Sequence, residues 1–169
     1  MAFAEWAAQF IAWSNGVIGV WGYLGIFVVS LIGNASIILP VPSFIIVFTF
    51  GAILNPWLVG IVGAAGATIG ELTGYMLGRG GRVALRKKYG KEIRRAEKWI
   101  EKYSIFLVIL VFSATPLPSD VAGALAGVVK YDMRKFLLAT FIGRTIAYLI
   151  LAFAGFYGLN YVLGLFGGG

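Results

Sequence analysis

From Trp6 to Gly70 the chain carries no charged side chain. A run of that length cannot supply the surface of a water-soluble domain, in which about a quarter of residues are charged. The rest of the composition agrees: of 169 residues, 60% are hydrophobic and 12% charged, and the mean hydropathy is +0.89. A soluble enzyme, a disordered chain and a free nucleic-acid-binding domain are all excluded. The apolar residues fall in blocks rather than in alternation, which also excludes a membrane β-barrel. The chain reads as an all-α integral membrane protein, a single membrane domain over residues 1–169.

What is missing narrows the chemistry. There is no Cys and no His, so no thiolate metal site, no catalytic thiol and no imidazole proton shuttle. No cofactor or metal is expected. The first 15 residues hold Glu5 and no Lys or Arg, so a cleavable signal with a basic start is not expected. Glycine, at 24 residues, is about twice its usual frequency of roughly 7%. In an apolar chain that points to close helix packing or broken helices.

The charge is concentrated. Between Arg79 and Lys102 lie ten basic and three acidic residues, a net +7 that equals the charge of the whole protein. Between apolar stretches, such a block marks the cytoplasmic side of a multi-pass protein in the cell membrane. Ile93, Ala96, Ile100 and Tyr103 recur at helical spacing opposite Lys91, Arg94, Arg95, Lys98 and Lys102. Residues 86–103 are therefore expected to form a cytoplasmic amphipathic helix. Lys87, Lys88, Lys91, Arg94, Arg95 and Lys98 would face anionic lipid headgroups, or form a solvated face with a purely topological role. A second basic cluster follows at Lys130, Arg134 and Lys135. If residues 105–129 dip into the membrane and return, 79–104 and 130–135 both lie inside. Pro116 and Pro118 in mid-stretch break a helix there, which favours that reading.

The sequence also repeats. Pro40-Val41-Pro42-Ser43 matches Pro116-Leu117-Pro118-Ser119 at an offset of 76. Ile69-Gly70-Glu71 with Tyr75 matches Ile142-Gly143-Arg144 with Tyr148 at an offset of 73. Repeat one covers about 20–78, a basic linker 79–104 and repeat two 105–158. Each repeat reads as a re-entrant Pro-x-Pro hairpin followed by an intact transmembrane helix, about 57–78 and 136–158. Because Arg79 and Lys135 fix both spans to one side, the repeats run in opposite senses, giving an inverted repeat. Asn55-Pro56 would form the outer turn of the first hairpin. Paired, Pro-interrupted segments of this kind mark transport sites near the bilayer midplane. Gly66, Gly70, Gly74 and Gly78 share one face of the first span, and Ala139, Gly143 and Ala147 the matching face of the second. These faces are expected to allow close packing, with the two spans against each other.

Glu71 and Arg144 stand alone inside apolar spans, at equivalent repeat positions. Each costs on the order of 2.5–3.5 kcal/mol to insert, so an ion pair between them is expected, either structural or within a translocation path. Asp120 follows the second hairpin tip, where it either caps a half-helix or titrates and binds a cation. The half-helix starts after Ser43 and Ser119 offer backbone N–H groups to an anionic headgroup, with Ser113 and Thr115 adding hydroxyls. The expected polar seam takes in Pro40, Pro42, Ser43, Glu71, Ser113, Thr115, Pro116, Pro118, Ser119, Asp120 and Arg144.

These motifs resemble one family. The Pro-x-Pro hairpin, Gly-Glu-Leu-Thr-Gly-Tyr-Met-Leu-Gly-Arg at 70–79 and Thr-Pro-Leu-Pro-Ser-Asp at 115–120 are similar to the DedA family of the SNARE-associated, VTT-domain superfamily. The resemblance covers about residues 20–158. It implies two opposed re-entrant hairpins and movement of phospholipids or polyprenyl phosphate carriers across the bilayer. The pattern departs from that of bacterial relatives at four places. Ala35 and Phe44 stand where they commonly carry Glu, and Ser113 and Ser119 where they commonly carry Arg. A proton-coupled mechanism resting on those residues does not transfer. Energy-independent scrambling, or a relay through Asp120 and Glu71, fits this sequence better.

The expected function is thus a lipid scramblase or flippase. The rivals are a small proton- or cation-coupled carrier and a non-transporting membrane scaffold. No enzyme is expected, since no nucleophile–base set or nucleotide loop is present. Lipid headgroups are the expected partners, with no nucleic acid; a homo-oligomer is left open.

Overall fold

The computed structural model describes residues 21–35, 43–102, 104–115 and 119–167, with side chains at 85, 96, 99–102, 119, 120, 160 and 162–167 outside the described set. Its elements are all helical: α1 (Trp21–Ala35), α2 (Ser43–Ile53), α3 (Pro56–Gly80), α4 (Arg82–Lys102), α5 (Ile105–Ala114), α6 (Ser119–Val128) and α7 (Met133–Gly167). Two short apolar helices followed by a long one occur twice, with α4 between. Within the long helices, Pro56–Gly80 and Met133–Leu159 are long and apolar enough to cross a membrane.

The boundaries follow local chemistry. Asn55 caps α3, its Oδ1 accepting from the N–H groups of Trp57 at 3.0 Å and Leu58 at 3.4 Å. Pro56 at the first helical position needs no N–H partner. The Asn55 N–H donates to the Tyr23 hydroxyl at 3.2 Å, which holds the start of α1 beside the end of α2. Asp132 caps α7, accepting from the Lys135 N–H at 2.9 Å. α4 bends at Tyr89, whose backbone leaves the helical region (φ −122°, ψ 33°).

Many large apolar side chains face outward, while the interior combines small and polar residues with a few large ones such as Tyr75, Phe136 and Tyr148. Trp21, Ile45, Trp57, Ile150 and Tyr157 are exposed, whereas Ser30, Ser43, Thr68, Glu71, Ser113, Thr140 and Arg144 are buried. Such exposure of large apolar surface together with buried polar groups is unusual for a water-soluble protein. It suits a chain solvated by lipid, where helix association depends on close contact rather than on hiding apolar surface.

α3 and α7 form the most extensive contact among the described helices and run antiparallel, Trp57 meeting Phe153 and Glu71 meeting Arg144. Their glycine faces do not, however, chiefly meet each other. Gly60 and Gly63 receive Leu149 and Tyr148 of α7, but Gly66 and Gly70 seat the backbone of α1 at Phe27 and Leu31. Gly78 seats Ala124 of α6, and Gly143 on α7 seats Leu110 and Ser113 of α5. A small-residue ridge specifies how near a helix comes, not which one. The long helices use theirs to hold the short ones. The second short helix of each set crosses over: Gly51 of α2 packs on Ala152 of α7, and Gly127 of α6 packs on Tyr75 of α3.

A β-carbon on Gly127 would lie 2.1 Å from the Tyr75 carbonyl oxygen, whereas one on Gly25 meets nothing within 4 Å. Gly127→Ala should therefore destabilise the protein by about 1–3 kcal/mol. Gly25→Ala should be neutral or stabilising by up to ~1 kcal/mol. Unfolding of both variants in detergent micelles checks the contrast.

Candidate functional site

The ends of the short helices converge on one polar centre. Arg144 of α7 donates from Nε to Glu71 Oε1 of α3 at 2.6 Å and from Nη2 to the same oxygen. The two side chains are 5% and 2% exposed. The guanidinium also lies 5.7 Å from the ring centre of Phe44 and 5.9 Å from that of Tyr148. Those two rings meet edge to face at 5.8 Å. Aromatic faces carry partial negative charge, so they favour a cation held in a dry site. Phe44 thus offers a π face to the guanidinium.

Asn34, near the end of α1, ties this centre to the start of α2. Its Nδ2 donates to the Ser30 carbonyl at 2.7 Å, to the Tyr148 hydroxyl at 3.3 Å and to the Ser43 hydroxyl at 3.4 Å. Thr73 donates to the Ala35 carbonyl at 3.0 Å and to the Gly70 carbonyl at 2.9 Å, satisfying an end group of α1. From the other side, Gly123 of α6 lies against the Glu71 backbone and Ser113 of α5 against Gly143. Ser30 Oγ, Thr140 Oγ1 and Thr145 Oγ1 are buried with no hydrogen-bond partner among the described residues. The interior is therefore more polar than its own hydrogen bonds require.

Of the residues expected in a polar seam, Ser43, Glu71 and Arg144 lie together, and Ser113 is buried at the adjoining α5–α7 contact. Thr115 instead turns back onto its own helix, donating to the Val111 carbonyl at 2.8 Å. Pro40, Pro42, Pro116 and Pro118 lie outside the described residues. Ser119 and Asp120 open α6, with their side chains outside the described set. Lys87, Lys88, Lys91, Arg94, Arg95 and Lys98 are exposed along α4, whose Ile93 is buried. Asn34, Phe44 and Tyr148 join the site without having been marked as polar-seam residues. The signals available were a lone amide in an apolar stretch and a tyrosine one turn beyond Arg144.

Glu71 lies nine residues before Gly80 and Arg144 eleven after Met133. At 1.5 Å per residue, those are about 14 Å and about 16 Å from the basic end of the molecule.

A buried charged centre between two long apolar helices fits an all-helical membrane protein. The VTT-domain model matches residues 41–157, and the chain belongs to the VTT-domain (DedA/SNARE-associated) family. It is 30% identical to the uncharacterized membrane protein YbfM of Bacillus subtilis over 139 residues, spanning 75% of this chain and 84% of that one. It is 27% identical to the uncharacterized protein MJ0201 of Methanocaldococcus jannaschii over 130 residues, spanning 75% and 79%. No solved structure matches.

Removing one member of the pair strands the other charge. Glu71→Gln should cost about 3–5 kcal/mol, and the double variant Glu71→Leu/Arg144→Met should recover most of it. Denaturant unfolding in micelles measures both.

Proposed function

We propose that this protein is a lipid translocase that moves phospholipid or polyprenyl-phosphate headgroups through the polar centre. In this reading, α1–α2 and α5–α6 are re-entrant hairpins of an inverted repeat, entering from opposite faces of the cell membrane. The basic segments 79–104 and 130–135 are cytoplasmic. The observation that carries the reading is the depth of the Glu71–Arg144 pair. It lies about half of a ~30 Å hydrocarbon core from the basic end, with short helices of both sets packed around it. Intramembrane charges face substrate paths far more often than lipid.

A headgroup phosphate competes with Glu71 for the Arg144 guanidinium, which binds oxyanions through several donors at once. Asn34, Ser43 and Tyr148 supply neutral hydrogen bonds around it, while the acyl tails stay in the bilayer. The centre is closed in this structure, so passage requires the hairpin tips to part. Because the Glu71 carboxylate is paired with Arg144, and Ala35 and Phe44 stand where the family pattern has carboxylates, the reading does not rest on proton coupling. Exchange should run down a lipid gradient without an ion gradient.

The test is exchange of fluorescent lipid between leaflets of proteoliposomes. Wild type should exceed empty vesicles and ignore an imposed pH gradient; no exchange with any of several headgroups would sink the reading. Asn34→Ala and Tyr148→Phe should each slow exchange roughly 3–10-fold, the loss of about one net hydrogen bond. The refolded double variant Glu71→Leu/Arg144→Met should be inactive.

A further inference from the structure

At the basic end of the molecule, well away from the buried pair, the α6–α7 connection and the last turn of α3 enclose a cleft of about 610 Å³. Arg79, Lys130 and Arg134 line it, with Asp132 as its carboxylate. None of the three cations has a carboxylate within salt-bridge distance among the described residues. Asp132 is engaged in capping α7, so even counting it fully the cleft keeps a net charge of +2.

The walls are preorganised. The Tyr75 ring stacks on Phe136 at 4.9 Å, and its hydroxyl donates to the Tyr131 carbonyl at 2.5 Å while accepting from Arg79 Nη1 at 2.7 Å. One guanidinium donor is thereby fixed and four remain. Burial, and secondarily the neighbouring Asp132, hold the Tyr131 phenol above its usual pKa, so it stays a neutral donor.

Lys130 is the second observation. α6 ends in a Schellman turn, with Lys130 N–H to the Gly127 carbonyl at 3.1 Å and Tyr131 N–H to the Ala126 carbonyl at 2.9 Å. Lys130 occupies the left-handed position of that turn (φ 58°), where glycine is normally found. The turn thus carries a lysine, at a modest backbone cost relative to glycine, beside the cationic cleft. Met76 and Met133 border the same cleft and are exposed, giving it an apolar edge beside its charged floor.

We propose that this cleft binds a phosphate oxyanion, presented by an anionic phospholipid headgroup whose tails lie along the apolar edge. The site goes beyond the translocation path and does not need transport to occur. Several charge-assisted hydrogen bonds from Arg79, Lys130 and Arg134 hold the phosphate.

Thermal unfolding of the full chain in zwitterionic micelles tests it, since a ligand bound only by the folded state raises the midpoint. Short-chain phosphatidylglycerol should raise the midpoint and short-chain phosphatidylcholine should not. Arg79→Gln/Arg134→Gln, changes at exposed positions, should abolish most of the rise. Lys91→Gln/Arg95→Gln on α4 should retain it. Lys130→Gly should raise the lipid-free midpoint, because glycine accepts the turn, yet shrink the response. If inorganic phosphate gives a rise with the same dependence on Arg79 and Arg134, the site stands and its natural ligand is a soluble phosphate. A rise indifferent to Arg79→Gln/Arg134→Gln, or lost equally in the α4 variant, overturns the site. The double variant Glu71→Leu/Arg144→Met should respond like wild type, which separates failure of this site from failure of the translocation path.

Discussion

A carboxylate and a guanidinium held together in a dry interior constrain everything around them. Either charge alone would cost several kcal/mol after relaxation, and only close pairing with further hydrogen bonds offsets that. Glu71 and Arg144 meet this condition, buried and backed by two aromatic rings. Because one sits on α3 and the other on α7, the pair sets the axial register of the two long helices. Because Asn34 and Phe44 both meet Tyr148 beside it, the same centre ties α1 and α2 to α7. Moving any one element strands a charge or a hydrogen-bonding group.

The rest of the packing is organised around small residues. With lipid as solvent, large apolar side chains gain little by turning inward, and backbone approach at glycine does the work instead. The crossing of α2 onto α7 and of α6 onto α3 makes each half depend on the other. Polarity is correspondingly interior. Three hydroxyls, of Ser30, Thr140 and Thr145, are buried without a hydrogen-bond partner among the described residues, so the interior is polar beyond the neutralised charge pair.

Much of this was legible in the amino-acid order. Two solitary charges at matched repeat positions, 73 residues apart, announce an ion pair because neither is tolerable alone. The expected turn at Asn55-Pro56 and the long apolar runs place α3 and the start of α7 to within a few residues, while α7 continues to Gly167, nine residues past the expected 158. What was not legible depends on three-dimensional partners. The Gly66–Gly78 ridge implied close contact with the second span, but spacing carries no information about which backbone fills a groove, and α1 and α6 fill it. Asn34, a lone amide, and Tyr148, a repeat-matched tyrosine, each carried a signal, but only the meeting of α1 and α7 makes them part of the site. Lys130 was read as one charge in a cluster, because nothing local distinguishes a lysine in a left-handed turn from one in a helix.

The central claim is that two hairpins reach the Glu71–Arg144 pair from opposite faces of the membrane. The chain has no cysteine, so single thiols report position without background. Leu54 follows α2 and Lys130 follows α6, at the bases of the two proposed hairpins. With Leu54→Cys or Lys130→Cys in intact cells, a membrane-impermeant maleimide should label position 54 directly and position 130 only after permeabilisation. Labelling of both from the same side would contradict the account.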